Sequence, residues 1–145
     1  MTKIDFYILS SDGPHVKETV ACKLIDKVYN LKHRVYVHTA SPQDAKQLDE
    51  RLWIFRQDSF LPHEIHEPGQ QTKSPIVIGY HNEPPPAGDD EVLVNLSTVV
   101  PPFFSQFERL TEFVEADDTA RLEARQRFKF YKDRGYELTT HDLKT

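Results

Sequence analysis

The chain has 145 residues, 38% of them apolar and 28% charged, enough for one core and a single domain over 1–145. A formal net charge of -5 excludes a domain that is basic throughout and coats nucleic acid. The one cysteine, Cys22, excludes an internal disulfide and fits a reducing cytoplasm. The opening MTKIDFYIL is too short and too polar for a signal peptide or a membrane span.

Residues 3–9 form a short run of β-branched and aromatic residues, which predicts a first strand. Residues 10–14 are a turn cluster. Val16, Val20, Leu24 and Val28 then recur every four positions beside Ala21 and Ile25, which predicts an amphipathic helix from Pro14 to about Asn30. A second strand is expected over 34–38. Ser41, followed by Pro42 and by Asp44 three residues on, predicts a helix start, with Ala45, Leu48, Leu52 and Trp53 turned inward or partly so. Residues 75–79 and 91–96 read as two short buried strands, joined by a loop rich in proline and acid over 84–90 that is extended or mobile. Residues 109–115 fit a last strand or a helix end. Asp117 or Asp118 caps a helix running to about Arg134, and Gly135 stands where a left-handed residue is expected. Strands alternating with helices predict a three-layer α/β/α domain with a largely parallel sheet.

Several chemistries are missing. A nucleotide-binding version of this fold needs glycines after the first strand, so that backbone N–H groups can approach phosphate. Here that turn is Ser10-Ser11-Asp12-Gly13-Pro14, and no two glycines of the chain are spaced as G-x-G. His63-Glu64-Ile65-His66 has its histidines three apart after Pro62, not four apart on a helix, and reads as a polar loop, not a metal site. Cys22 sits between Ala21 and Lys23 as a small buried or half-buried thiol. The acid pairs Asp49-Glu50 and Asp89-Asp90 diverge from each other as neighbours in sequence do, and read as solvated charge. No catalytic residue, metal ligand or cofactor site is expected.

Two segments stand out. Residues 119–136 hold six basic and two acidic side chains, a surplus of four, so the rest of the chain carries -9 of the total -5. At about 100° per residue, Arg121, Arg125, Lys129 and Lys132 share one side of the helix. Ala120, Ala124 and Tyr131 face the core, and Phe128 lies on the border. Such a face is either ordinary solvated charge or a site for an anion that also bears an apolar group. The second segment places Trp53, Phe55 and Phe60 around a helix end. Those aromatics fit either core or an exposed hot spot.

In order and spacing, a series of short matches resembles the chi subunit family of bacterial DNA polymerase III. They are Phe6-Tyr7-Ile8-Leu9, Ala21-Cys22-Lys23-Leu24, LDERLWIF, SFLPH, Val92-Leu93-Val94-Asn95-Leu96, residues 103–114, Ala124-Arg125-Gln126-Arg127-Phe128-Lys129-Phe130-Tyr131 and Gly135-Tyr136. The resemblance implies a nucleotide-binding-like domain that has lost its phosphate loop. It also implies a non-catalytic accessory role in the clamp loader, with DNA met only indirectly and no membrane involved. One implied partner is the acidic C-terminal tail of single-stranded DNA-binding protein, which ends in a phenylalanine. It would be held at Arg125, Lys129 and Phe128, with Arg121 and Lys132 on the same side. Phe130 departs from the small residue the family often has before the tyrosine. The other implied partner is the psi subunit, at Trp53 and Phe60 with Val114 as a further candidate. The alternative is a nucleotide- or nucleic-acid-binding α/β accessory protein.

Overall fold

The computed structural model describes residues 1–11, 13–55, 60–85 and 91–144. Asp12, Ser59 and positions 86–90 of the acidic proline loop, Asp89-Asp90 included, lie outside the described residues. In chain order the elements are β1 (Lys3–Leu9), α1 (Val16–Asn30), β2 (Val35–His38), α2 (Pro42–Ile54), β3 (His63–Ile65), β4 (Ile76–Gly79), β5 (Val92–Asn95), a single 3-10 turn (Phe104–Gln106), β6 (Arg109–Val114), α3 (Asp118–Asp133) and β7 (Glu137–Leu143).

Among the described residues the strands form one seven-stranded sheet in the order β3-β4-β2-β5-β6-β1-β7, every pairing parallel. Every residue of β2, β4 and β5 is buried, as expected where layers cover both faces of a parallel sheet. Alternation sorts the core into two halves. Leu9, Val35, Val37, Ile76, Ile78 and Val94 face α1 and α2, with Ala21, Cys22, Ile25, Ala45, Leu48 and Leu52 packed on them. Ile4, Phe6, Tyr36, Val77, Leu93 and Leu110 face the other way, toward Tyr131 of α3 and the phenylalanines Phe103, Phe104 and Phe107. Gly79 is required where β4 passes Tyr36, because a Cβ there would overlap the phenol oxygen.

Capping follows the sequence closely. Ser41 Oγ accepts from the Asp44 N–H at 3.1 Å with Pro42 at the first helical position. Asp117 is the cap of α3, its carboxylate accepting from the Ala120 N–H at 3.0 Å. At the far end Gly135 takes φ 82°. Its N–H donates to Lys132 O and that of Tyr136 to Tyr131 O, a Schellman stop. α1 begins at Val16, two residues after Pro14, behind a left-handed His15 that lends no side-chain cap.

The structure departs from expectation at three places. Residues 109–114 are a strand, β6, but not the last, since β7 follows α3 and closes the sheet edge on β1. The segment expected to be a polar loop, His63–Ile65, is the opposite edge strand β3. Trp53 is not inward: it is 55% exposed. Arg127, one of the six basic residues of 119–136, is buried at 7% exposed.

Candidate partner-binding surfaces

The orientation of α3 is set by a buried acid. Glu112, in the middle of β6, is fully buried. It accepts from Arg127 Nε at 3.0 Å, from the Tyr131 hydroxyl at 2.6 Å and from Asn95 Nδ2 at 3.0 Å. Arg127 also donates to Thr98 O and Phe113 O. Burial pushes the Glu112 carboxyl up, against the opposing pull of Arg127 and these hydrogen bonds. With Arg127 and Tyr131 pinned inward one turn apart, the next strip of α3 carries Arg121, Arg125, Phe128 and Lys132.

That strip borders a groove of about 370 Å3 between α3 and the β1–β7 edge. Arg121 and Arg125 stand at its rim, and neither has an ion-pair or hydrogen-bond partner among the described residues. Phe128 forms a wall, its ring 5.2 Å from Phe6 in edge-to-face contact. Ile8, Val114, Ala124 and Thr140 complete the lining. Lys129 is not brought to it. Its ammonium lies 2.7 Å from Asp133 with the side chain 76% exposed, and that bond holds the Asp133 carboxyl below its usual range. Lys132 is exposed on the same side, beyond the lining. The groove offers two free guanidinium groups above an aromatic and aliphatic slot. It therefore suits an anionic group that carries a ring.

The second surface lies on the other face of the sheet, toward the β3 edge. Trp53 and Phe60 are 55% and 61% exposed, with ring centroids 5.2 Å apart, and Ile54 beside them is 79% exposed. His63 supports the pair from below. Its ring meets Trp53 edge-on at 4.8 Å, and its nitrogens lie 2.6 Å from Leu61 O and 3.2 Å from Asp49 Oδ1. Val114 is not part of this surface: it lines the α3 groove. Sequence reasoning missed Phe6, Ile8 and Thr140 as groove residues and His63 as the prop. A mid-strand acid in RLTEFV, which needs a buried cation, was the available signal for the setting of α3.

At the start of α1, Lys17 reaches Glu115 at 3.1 Å and Leu96 O at 3.0 Å, and a cavity of about 30 Å3, room for a water, lies among Lys17, Glu115 and Arg127. Cys22 is buried, and burial pushes its thiol up to about 11, with Arg51 only partly opposing. Among the described residues no cluster of three potential metal ligands occurs.

These features define a class: a three-layer α/β domain of nucleotide-binding type with its phosphate loop gone. A solved structure titled "The crystal structure of T4 UvsW" shares the fold with a TM-score of 0.69 at 7% identity, over 99% of this chain and 42% of that one. The sequence is more specific. Residues 1–139 match the family described as DNA polymerase III chi subunit, HolC. Relatives named DNA polymerase III subunit chi are 36% identical in Pseudomonas aeruginosa, over 99% of this chain and 98% of the relative, and 30% identical in Haemophilus influenzae, over 95% of each. The Escherichia coli relative of the same name is 28% identical over 97% of each. The chain belongs to the DNA polymerase III chi subunit family and is an accessory subunit of that polymerase in DNA replication.

Proposed function

We propose that this subunit bridges the clamp loader to single-stranded DNA-binding protein, without chemistry of its own. The α3 groove receives the acidic tail of that protein, with the terminal carboxylate on Arg125 and the ring of the last phenylalanine in the slot beside Phe128. Arg121 lies one turn back on the rim, and Lys129 and Lys132 add to the field. Val114 contributes to the slot wall. The Trp53–Phe60 surface takes the psi subunit, which ties the chain to the clamp-loader core. DNA is met through these proteins, and the complex works in the cytoplasm. No helix among the described residues is long and apolar enough to cross a membrane.

The supporting observation is the pairing of free Arg121 and Arg125 with an apolar slot on one helix face. A forked guanidinium matches a carboxylate in two hydrogen bonds, and the slot discriminates by the ring. Fluorescence anisotropy of a labelled acidic peptide ending in phenylalanine, beside ATP and single-stranded DNA, tests this. Saturable peptide binding that is lost in an Arg125→Ala, Lys129→Ala double variant is expected. Unchanged binding in that variant, or micromolar binding of ATP, rejects the reading.

A further inference from the structure

A separate groove lies on the α1 side of the sheet. α1 is the helix of that layer next to the β1–β7 edge, and among the described residues no helix lies beyond it over β7. The larger half of the groove has a volume of about 480 Å3, with Val16, Val20 and Leu24 as one wall and Tyr7, Phe113 and Leu143 as the floor. A smaller half of about 390 Å3 shares Tyr7, Leu24 and Lys27 with it and runs on to Leu31, which is 60% exposed. Val16 and Leu31 bracket about 22 Å of helix, some four turns.

The two halves differ in charge. Lys23, Lys27 and Lys144 rim the larger half, and none of these ammonium groups has an ion pair among the described residues. The smaller half holds more acids than permanent cations: Asp5, Glu91 and Glu108 against Lys27 and Arg109. Asp5 meets Arg109 at 3.4 Å and His141 at 3.0 Å, and His33 meets Glu91 at 2.8 Å. On a chain of net charge -5 the larger half is therefore the local cationic end of a trough whose other half is lined by acids.

We infer that this groove docks an amphipathic helix of a partner protein, apolar along one stripe and acidic in the turn that lies among Lys23, Lys27 and Lys144. The wall repeats at positions i, i+4 and i+8 of α1, the spacing that takes the apolar stripe of a second helix laid alongside. A helix in that place extends the α1–α2 layer over the edge of the sheet that the layer leaves bare. Single-stranded DNA fits less well. The Tyr7 ring is already stacked on His141 at 4.7 Å, and Asp5, Glu91 and Glu108 line the smaller half against a run of phosphates. The site lies on the opposite face of the sheet from α3 and owes nothing to the tail-binding reading.

The test uses the intact, isotope-labelled chain followed by NMR. The probes are synthetic helices of about 16 residues with one leucine stripe. One carries glutamates on its first turn, one carries lysines there and one is scrambled. An oligo-dT strand is run alongside. The glutamate helix should give saturable shifts at Val20, Leu24 and Leu143. A Lys23→Glu, Lys27→Glu variant, altered only at exposed positions, should bind it at least ten-fold more weakly and should now accept the lysine helix. The inference is overturned by equal binding of the lysine or scrambled helices, by shifts confined to α3 or to Trp53 and Phe60, or by dT occupying the groove in their place. Groove signals that move with the chain's own concentration would assign the surface to a second copy and also overturn it, as would no binding at millimolar peptide.

Discussion

The α3 groove and the Trp53–Phe60 surface sit on opposite faces and near opposite edges of one sheet, and they are built in opposite ways. The first is a recess whose specificity comes from charge: two free guanidinium groups over a slot, on a helix locked in place by a buried acid. The second is a projection, two exposed rings propped by a histidine. A recess of this kind should bind quickly and lose affinity in salt, while apolar anchors should be almost indifferent to salt. On the proposed function, one small domain would hold two partners with affinities that respond to different conditions.

The comparison breaks most visibly at Glu112. Glu112→Ala leaves Arg127 buried without its acid and should cost about 3–5 kcal/mol of stability. Peptide binding at α3 should weaken while the Trp53–Phe60 surface keeps its partner below the melting point. Denaturant unfolding, together with the two binding titrations on the same variant, measures this. Equal loss at both sites would mean that the network supports the fold as a whole and not α3.

Acid should act on both surfaces together. Burial lowers the His38 imidazole from its ordinary 6.5 to about 4. The unfolded chain therefore takes up this proton at a higher pH than the folded one. The stability from neutral His38 is complete above pH 6.5 and is lost as pH falls toward 4, by about 3 kcal/mol in all. Unfolding free energies at pH 7 and pH 5 should differ, and His38→Phe should flatten part of the difference. A variant with the wild-type slope would remove His38 as the source.

Phe60→Ala should weaken psi binding by about 2 kcal/mol or more, with little dependence on salt and a nearly unchanged melting temperature. If the variant melts early instead, the ring belongs to the core and the contrast fails. Arg125→Ala should cost roughly 1.5–3 kcal/mol of tail binding, and Arg125→Lys should restore only part of it because a single ammonium cannot fork. Lys129→Ala should cost least, since the ammonium is engaged with Asp133 outside the groove, and its effect should fade first as salt rises. Anisotropy at two salt concentrations ranks the three variants.

The sequence was most legible where one physical demand dominates. Ser41, Asp117 and Gly135 mark helix ends because backbone groups there need a side-chain acceptor or a left-handed residue, and β2, β4 and β5 are largely apolar because they are covered on both faces. It was least legible at the edges. β7 alternates half-buried Leu138, His141 and Leu143 with exposed polar residues, and β3 is three residues with two polar side chains, so neither carries a core signal. Helix period put Arg121, Arg125, Lys129 and Lys132 on one side with Phe128 on its border, and the groove takes Arg121, Arg125 and Phe128 but neither lysine. Arg127 was counted in the basic surplus but given no side by the period, and its partner Glu112 lies on another element. Val114, grouped with Trp53 by resemblance, belongs by position to the other site.

β1 pairs on one side with β6, Lys3 opposite Arg109, and on the other with β7, Lys3 opposite Glu137. Its backbone partners are therefore more than a hundred residues away along the chain. Contacts of such separation form late, after the large loop-closure cost has been met. During synthesis residues 3–9 must wait until residue 143 has left the ribosome before both of their edges are satisfied. The α3 groove draws its walls from β1, β6, α3 and β7, so it comes into being at that same last step. Until β7 is in place the groove lacks its Thr140 wall.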